Sequence, residues 1–267
     1  MIQFFQNKQK DPADRAFLYG DGIWVTFYLR NSLLILAEES YFYVMASMRK
    51  LRMDIPQSYT LEFFTELLTK EVIEKGVKNA RIKFFVYRAS SAQQNLAKNN
   101  VEFYFEVQEV EDILKAEKDY ELDLIKEINV NTNLFSNIHV HSPENIYADI
   151  YAKENDLDDV ILLNPEKRVA RTSQGNILLI NENTIRIPKL TEGAYISPLL
   201  ESFVQFLDKN RKALISESEI IAFETQKADE ILLISETTGI HHVTKVRNKE
   251  FKTSHFQDLL QAWRESS

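Results

Sequence analysis

The sequence predicts an α+β protein built from two domains. Its 267 residues suit either one large domain or two of ordinary size, and 44% of them are hydrophobic, enough for a sizeable core. The first half has strands and helices in the order β-β-α-α-β-β. A charged, apolar-poor stretch follows at residues 112–120, where we place a domain boundary. The prediction is a small N-terminal α+β domain (residues 1–115) and a larger C-terminal domain (residues 116–267).

Alternating and helical patterns define the elements of the first domain. The helix over residues 38–53 is predicted to bury Phe42, Met45, Met48 and Leu51 on one face. The next helix follows the possible caps Ser58 and Thr60 and stops at Gly76. In chain order the predicted elements are strands 24–29 and 32–36, helices 38–53 and 61–75, and strands 81–87 and 101–110.

The second domain mixes short strands with capped helices. Ser197 followed by Pro198 is typical of a helix start, and we expect that helix to reach about residue 209. Ser216 and Glu219 have the spacing of a capping box, which predicts another helix. Ser254 and Gln257 have the same spacing and predict the cap of a last amphipathic helix, whose apolar face consists of Phe256, Leu259, Leu260 and Trp263. The other predicted elements are strands 121–130, 160–163, 176–180, 184–187 and 230–234, and helix 144–154.

Composition excludes several classes of function. The net charge of −8 repels nucleic acid and anionic lipid, and the 32 basic residues are scattered. With no cysteine, the chain has no disulfide, thiolate catalyst or zinc–sulfur site. Residues 1–8 lack the apolar stretch of a signal peptide, and no apolar run is long enough to cross a bilayer. We expect a soluble cytoplasmic protein that binds neither nucleic acid nor membrane.

No spacing in the chain reveals chemistry by itself. The segment Tyr19-Gly20-Asp21-Gly22 lacks the third glycine of a nucleotide-binding loop, so we interpret it as a tight turn. His139 and His141 could share one face of a strand and bind a metal, but no third ligand stands at a suggestive spacing. We therefore expect no metal site. His241 and His242 would point to opposite faces of a strand. Six aromatic residues of two strands are predicted core: Phe84, Phe85, Tyr87, Phe103, Tyr104 and Phe105.

Several segments, taken in order, resemble the class IV aminotransferase family. That family includes branched-chain aminotransferases, D-amino acid aminotransferases and 4-amino-4-deoxychorismate lyases. The segments span nearly the whole chain, and their order and spacing are similar to the family's. They are residues 14–24, from Asp14 to Trp24; residues 40–49, Ser40 to Arg49; residues 157–164, Leu157 to Asn164; residues 171–177, Arg171 to Ile177; residues 228–233, Ala228 to Leu233; and Gly239-Ile240.

The resemblance implies fold-type IV, with a β-barrel-like core in the larger domain, and a pyridoxal phosphate (PLP) cofactor held by a lysine as a Schiff base. The lysine position falls at His139 or Ile138. No lysine occurs between Lys126 and Lys153. Neither an imidazole nor an alkyl side chain can form the Schiff base, so no residue is assigned as catalytic.

The other cofactor positions implied by the resemblance are also altered. The carboxylate that pairs with the pyridine nitrogen falls at Arg171, whose charge would oppose protonation of that nitrogen. The phosphate-binding arginine falls at Tyr43. The remaining phosphate positions fall at Ser197, beside Pro198, and at Ser235 and Glu236, where a carboxylate would face an anion.

These replacements predict a degenerate relative, a pseudoenzyme without cofactor that acts by binding. We expect a homodimer that holds a small anionic ligand between its domains, near Arg171, His139 and Tyr43, or that partners an active paralogue. The alternative is an active PLP-dependent aminotransferase or 4-amino-4-deoxychorismate lyase using a lysine such as Lys126 or Lys189. A third interpretation is cofactor-free acid–base chemistry by His139.

Overall fold

The chain divides into two compact units. The computed structural model describes residues 2–6, 15–88 and 101–266. One unit comprises Met1–Ile113 and Ile138–His141, and the other comprises Leu114–Asn137 and Ser142–Ser267. The first unit thus takes in four residues from the region 116–267. Asp14, which opens the first family-like segment, and residues 1, 7 and 8 lie outside the described residues.

The first unit is an antiparallel sheet with helices, and it confirms the predicted β-β-α-α-β-β order. A first strand and a short helix precede that pattern. The strand order is β1-β5-β4-β2-β3. The elements are β1 (Ile2–Gln6), α1 (Arg15–Tyr19), β2 (Gly22–Arg30), β3 (Leu33–Ile35), α2 (Ala37–Lys50), α3 (Leu61–Leu68) with a π-helical extension (Thr69–Ile73), β4 (Ala80–Arg88) and β5 (Val101–Glu109).

Aromatic side chains form the core of this unit. Phe84 of β4 packs edge-on against Phe64 of α3, with 5.2 Å between ring centroids. Four of the six aromatic residues predicted to be core are buried: Phe84, Tyr87, Phe103 and Phe105. The other two, Phe85 and Tyr104, are partly buried and stack on each other at 4.4 Å.

The buried face of α2 differs from the predicted one. Phe42 is 57% exposed, whereas Tyr43 and Val44 are buried. The helix also ends at Lys50, before Leu51. Met45 and Met48 are buried as predicted, and two serines lie on the same buried side. One of them, Ser40, donates a hydrogen bond to the carbonyl of Thr26 at 2.8 Å, which satisfies its hydroxyl inside the core.

The second unit is a mixed nine-stranded sheet with helices packed on it. Its strand order is β11-β10-β9-β12-β13-β6-β7-β8, with β14 beside β13. The pairs β10–β11, β13–β6 and β6–β7 are parallel. The elements are β6 (Ala116–Asn129), α4 (Pro143–Glu154), β7 (Asp159–Leu163), β8 (Val169–Thr172), β9 (Asn176–Asn181), β10 (Thr184–Pro188), α5 (Pro198–Lys209), β11 (Leu214–Ser218), α6 (Ala222–Thr225), β12 (Glu230–Ser235), β13 (Gly239–Val246), β14 (Lys249–Glu250) and α7 (Ser254–Ser266).

The helix predicted to start at Ser216 is wrong. Residues 214–218 form strand β11, which pairs in parallel with β10. The short helix α6 begins after Ile221, where Glu224 accepts a hydrogen bond from the Ile221 amide at 2.8 Å. The sequence also missed strand β8. Strand β8 has only four residues, and β11 pairs with a strand on the other side of α5, so neither has a long local pattern that identifies it.

Other predicted helix starts are confirmed. Thr60 Oγ1 accepts a hydrogen bond from the Phe63 amide at 3.2 Å, and Ser197 Oγ accepts one from Leu200 at 3.1 Å. Helix α7 buries the predicted face, which consists of Phe256, Leu259, Leu260 and Trp263. None of the helices in the described part of the chain has the length and apolar character of a membrane span.

Candidate functional site

His139 is held in the first unit by strand β2. Its carbonyl accepts a hydrogen bond from the Trp24 amide at 3.1 Å, and the next residue, Val140, bridges Ile23 in antiparallel fashion. The imidazole stacks on the Trp24 indole with 3.7 Å between ring centroids and an interplanar angle of 22°. Only 3% of His139 is exposed. The ring is therefore fixed between apolar surfaces rather than mobile at the surface.

Tyr43 lies beside His139. It projects from α2, is buried, and meets the imidazole edge-on with 6.3 Å between ring centroids. The structure thus brings together two of the three residues expected to form an anion site. The predicted convergence of Arg171 with them stays a prediction.

The turn at Gly20 is shaped around His141. Gly20 has φ +63°, and a Cβ on it would lie 2.4 Å from the His141 Cβ. Strand β2 starts two residues later, so the interpretation of this segment as a tight turn is confirmed. His141 is exposed, unlike His139. Among the described residues, no three His, Cys, Asp or Glu side chains are grouped to hold a metal ion.

Arg171 lies on β8 in the second unit and is buried. Its guanidinium donates hydrogen bonds to the Gly193 carbonyl at 2.7 Å and to Asn145 Oδ1 at 3.2 Å. It also lies over the Tyr195 ring, 4.2 Å from the centroid. The cation is thus held in place by neutral oxygens and a π face. None of these three contacts comes from a carboxylate, so this position favours an anion.

Ser197 and Glu236 form a buried pair in the same unit. Ser197 Oγ donates a short hydrogen bond to Glu236 Oε1, and both residues are at most 3% exposed. Ser197 is the N-cap of α5, and its Oγ also accepts a hydrogen bond from the Leu200 amide. The carboxylate of Glu236 therefore lies directly beside the start of α5, where the helix dipole favours a negative charge.

Ser235 organises the turn that follows β12. Its Oγ donates to the carbonyl of Gln174 at 2.7 Å and accepts from the amides of Thr237 and Thr238, each at 3.1 Å. Two backbone N–H groups of this turn thus donate hydrogen bonds to a side chain of the protein itself.

Two carboxyl groups meet at Ser173, two residues after Arg171, and the sequence analysis did not predict this pair. Ser173 Oγ lies 2.5 Å from Asp149 Oδ1 and 2.6 Å from Asp159 Oδ1. Asp159 is fully buried, and burial raises the pKa of its carboxyl to about 6 despite hydrogen bonds from Ser173. The only signal in the sequence was the place of Asp159 in a family-like segment.

Comparison with known proteins identifies the family. The profile of the family Amino-transferase class IV matches residues 44–246, which is most of the chain. The chain belongs to the class IV aminotransferase family. No curated protein sequence matches it.

Solved structures of this family share the fold. A candidate 4-amino-4-deoxychorismate lyase from Legionella pneumophila is similar with a TM-score of 0.85 and 19% identity, covering 98% of this chain and 96% of that one. The branched-chain aminotransferase of Escherichia coli gives 0.86 and 11%, covering 99% and 93%. That of Thermoproteus uzoniensis gives 0.84 and 16%, covering 99% and 93%. The fold-type IV architecture predicted for the chain is confirmed.

The two lysines named as alternatives both belong to the second unit of this member of the class IV family. Lys126 is exposed on β6. Lys189 lies 3.3 Å from Glu219 Oε1 and forms an ion pair with it.

Three residues of the site were missed by the sequence analysis as functional positions. Trp24 stacks on His139, while Asn145 and Tyr195 hold Arg171. Asn145 Nδ2 also donates to Tyr195 Oη at 2.6 Å, which joins the two. Trp24 belonged to a family-like segment, but no spacing marked Asn145 or Tyr195.

Proposed function

We propose that this class IV family member acts by binding a small anionic ligand and does not form a Schiff base with PLP. The observation that carries the proposal is the burial and packing of the residues at which the resemblance places the PLP lysine. Ile138 and His139, on which that position falls, are 2% and 3% exposed. His139 is packed against Trp24, and the chain has no lysine between Lys126 and Lys153.

The residues at the phosphate positions do not fit the phosphate of PLP. Glu236 is buried and hydrogen-bonded to Ser197, so a phosphate placed there would face a carboxylate in a site of low dielectric constant. The amides of Thr237 and Thr238, which could otherwise donate to a phosphate, are bound to Ser235 Oγ. Tyr43 supplies no charge. These contacts support the proposal that the phosphate positions of this chain lack the cation and the free donors that PLP needs.

The position of the pyridine partner supports the same proposal. Arg171 is fixed over Tyr195 and by the Gly193 carbonyl, so its guanidinium stays where the family has a carboxylate. A cation at this point disfavours a protonated pyridine nitrogen and favours an anionic ligand. A carboxylate-bearing or amphipathic small molecule matches Arg171 and the aromatic surfaces of Tyr195.

The rival proposal is an active PLP-dependent aminotransferase or 4-amino-4-deoxychorismate lyase, and family membership favours it. It requires another lysine, such as Lys126 or Lys189, to take the role of the missing one. Binding to an active paralogue, and acid–base chemistry by His139, are the remaining candidates. The family also leads us to propose a homodimer in the cytoplasm.

Absorbance after incubation with excess PLP, followed by borohydride reduction and intact-mass measurement, tests the proposal. We expect no internal-aldimine band and no stable adduct. The variants Lys126→Arg and Lys189→Arg serve as matched controls, because an adduct on either of these lysines must disappear in the corresponding variant. A band and a mass increase that map to a single lysine would overturn the proposal.

A restored lysine gives a second test. The variant His139→Lys supplies the amine but leaves Arg171, Tyr43 and Glu236 unchanged. We expect no transamination from it, measured with a panel of amino donors and PLP. Transamination after this single change would show that the rest of the pocket is competent, against the proposal.

A further inference from the structure

One edge of the nine-stranded sheet is open at strand β11. This strand is the last in the sheet order and pairs on one side, in parallel with β10 over residues 214–218. In the described part of the chain, no strand lies against its other side. The strand at the opposite edge, β8, differs because all four of its residues are buried.

The hydrogen bonds between β10 and β11 show which backbone groups of β11 point outward. The amide of Leu214 and the carbonyl of Ser218 bond to the residues that flank β10, at 2.9 and 3.3 Å. Bonding to one neighbour alternates along a strand. The amides and carbonyls of Ile215 and Glu217 therefore point to the open edge, where a further strand can pair with them.

This edge lacks the usual protection against pairing. Natural edge strands are commonly blocked by lysine, proline or a bulge. Strand β11 has neither of these residues, and its register with β10 is regular over all five positions. Leu214 is 67% exposed. Glu217 is the single charged residue of the strand.

An apolar groove lies beside the open edge, between β11 and helix α5. It has a volume of about 300 Å³, and all of its lining residues belong to the second unit. Ile215 and Glu217 line it from the strand, Leu200 and Val204 line it from the helix, and Leu190 adds a side chain that is 45% exposed. A strand paired with β11 would direct every second side chain to this groove, because paired residues of neighbouring strands point to the same face.

Glu217 sets the charge of a partner. It is exposed, and it forms no ion pair within the part of the chain that the structure describes. A second lining carboxylate, Glu201, already interacts with other groups of the chain. None of the described residues that line the groove is a lysine or an arginine. A basic side chain opposite Glu217 is therefore attracted, and an acidic one is repelled.

We propose that β11 binds an extended segment of a partner protein by strand addition. The segment pairs its backbone with Ile215 and Glu217, and it places an apolar side chain in the groove and a basic side chain beside Glu217. Tyr195 and Ser197 also line the groove. No residue of β11 is one of the positions discussed for PLP, so this surface does not depend on the proposed function.

Two capped peptides of five residues test the proposal on the full chain. One has the order threonine-leucine-threonine-lysine-threonine, and the second exchanges leucine and lysine, so that both strand directions are covered. We expect saturable shifts of the backbone amide NMR signals of Ile215 and Glu217 with at least one peptide. No saturable shift of these signals with either peptide would overturn the proposal.

Methylation of the peptide amides separates strand addition from the simple seating of a side chain in the groove. A paired strand turns every second amide toward its neighbour. Methylation of one alternate set of amides should therefore abolish binding, while methylation of the other set should leave it intact. Equal affinities of the two methylated peptides would contradict strand addition.

A charge exchange tests the role of Glu217. Glu217→Lys should weaken binding of the lysine peptide about fivefold, since attraction becomes repulsion, and should restore binding of a peptide with glutamate in place of lysine. Asp258→Lys makes the same change of net charge at an exposed position of α7 and should leave both affinities unchanged. Melting temperatures report folding, and Glu217→Gln replaces a variant that unfolds. Loss of binding without rescue by the glutamate peptide, or an equal loss in Asp258→Lys, would contradict the assignment.

Light scattering of Glu217→Lys separates a partner protein from a second copy of the chain. We expect the same mass as for the unmodified chain. A lower mass would show that two copies pair through β11, and this would overturn the proposal of a separate partner.

Discussion

At Ser173, one hydroxyl proton serves two carboxyl oxygens. The Oγ atom lies 2.5 Å from Asp149 and 2.6 Å from Asp159, and two such short contacts between oxygens need two protons. The serine supplies one, so a carboxyl supplies the other. The raised pKa of Asp159, about 6, agrees with a proton kept on this pair near neutral pH.

This pair predicts a pH dependence of stability. A carboxyl whose folded pKa is raised from 3.8 to about 6 stabilises the fold below pH 4 and loses that contribution as the pH rises through 6. Relative to Asp159→Asn, the free energy of unfolding of the unmodified chain should therefore fall by about 3 kcal/mol between pH 4 and 7. Urea unfolding across this range measures it. The neighbour Asp158→Asn is the control and should keep the original pH dependence.

Removing the charge of Glu236 tests its proposed role in excluding the phosphate of PLP. In Glu236→Gln, the hydrogen bond from Ser197 can persist while the negative charge is gone. We expect the affinity for non-covalent PLP to rise by about tenfold or more, since like charges no longer meet. Isothermal titration measures this change. Glu201→Gln, on the same helix as Ser197, should have no effect, and a similar gain in both variants would point to net charge alone.

The site residues show what the sequence could predict at this scale. Tyr43, His139, Arg171, Ser197, Ser235 and Glu236 were named because the resemblance places the family's cofactor positions on them. Their contacts were not predictable, because the Ser197–Glu236 bond joins residues 39 positions apart and the Trp24–His139 stack joins two distant segments. No local spacing encodes such pairs.

At the scale of elements, the group that caps helix α7 comes from strand β12. Ser254 and Gln257 were predicted to cap this helix, but Glu230 of β12 accepts from the amides of His255 and Phe256, both at 2.9 Å. Glu230 also accepts from Ser254 Oγ at 3.2 Å. A local pattern located the helix start correctly, while the group that stabilises it lies more than twenty residues earlier.

Substitution of Glu230 should therefore destabilise α7. We expect Glu230→Ala to lower the free energy of unfolding by about 2 kcal/mol, since two helix amides lose their acceptor. Asp258→Ala, an exposed change within the same helix, should stay within about 0.5 kcal/mol. Urea unfolding of both variants measures the difference. Equal effects would show that Glu230 does not act as the cap.

Strand β11 illustrates why the sequence failed for some elements. Its residues Leu214–Ser218 are polar and partly exposed, and they stand at the edge of the sheet. Edge strands lack the alternation that identifies internal strands, so a serine and a glutamate at helical spacing suggested a cap. Long periodic elements such as α5 and α7 were predicted with nearly correct bounds.

For the whole molecule, the family leads us to predict a homodimer. Light scattering on the purified protein should give twice the chain mass of 31.2 kDa. Helix α4 exposes Ile146, Tyr147 and Ile150, about half of each side chain, an apolar surface that a second copy could cover. A charge introduced there, as in Ile150→Glu, should shift the mass toward the monomer, whereas Lys153→Glu on the same helix should not. A monomeric unmodified chain would contradict the prediction.

The return of residues 138–141 to the first unit has a consequence for biosynthesis. A ribosome releases the N-terminal part of a chain first, and domains generally fold as they emerge. Here the indole of Trp24 stacks on His139, which is synthesised only after β6, a strand of the other unit. The first unit therefore cannot finish folding when its own sheet has been synthesised, and a chain that ends after Ile113 would leave Trp24 without this cover. Nascent-chain proteolysis would detect this as late protection of the N-terminal unit.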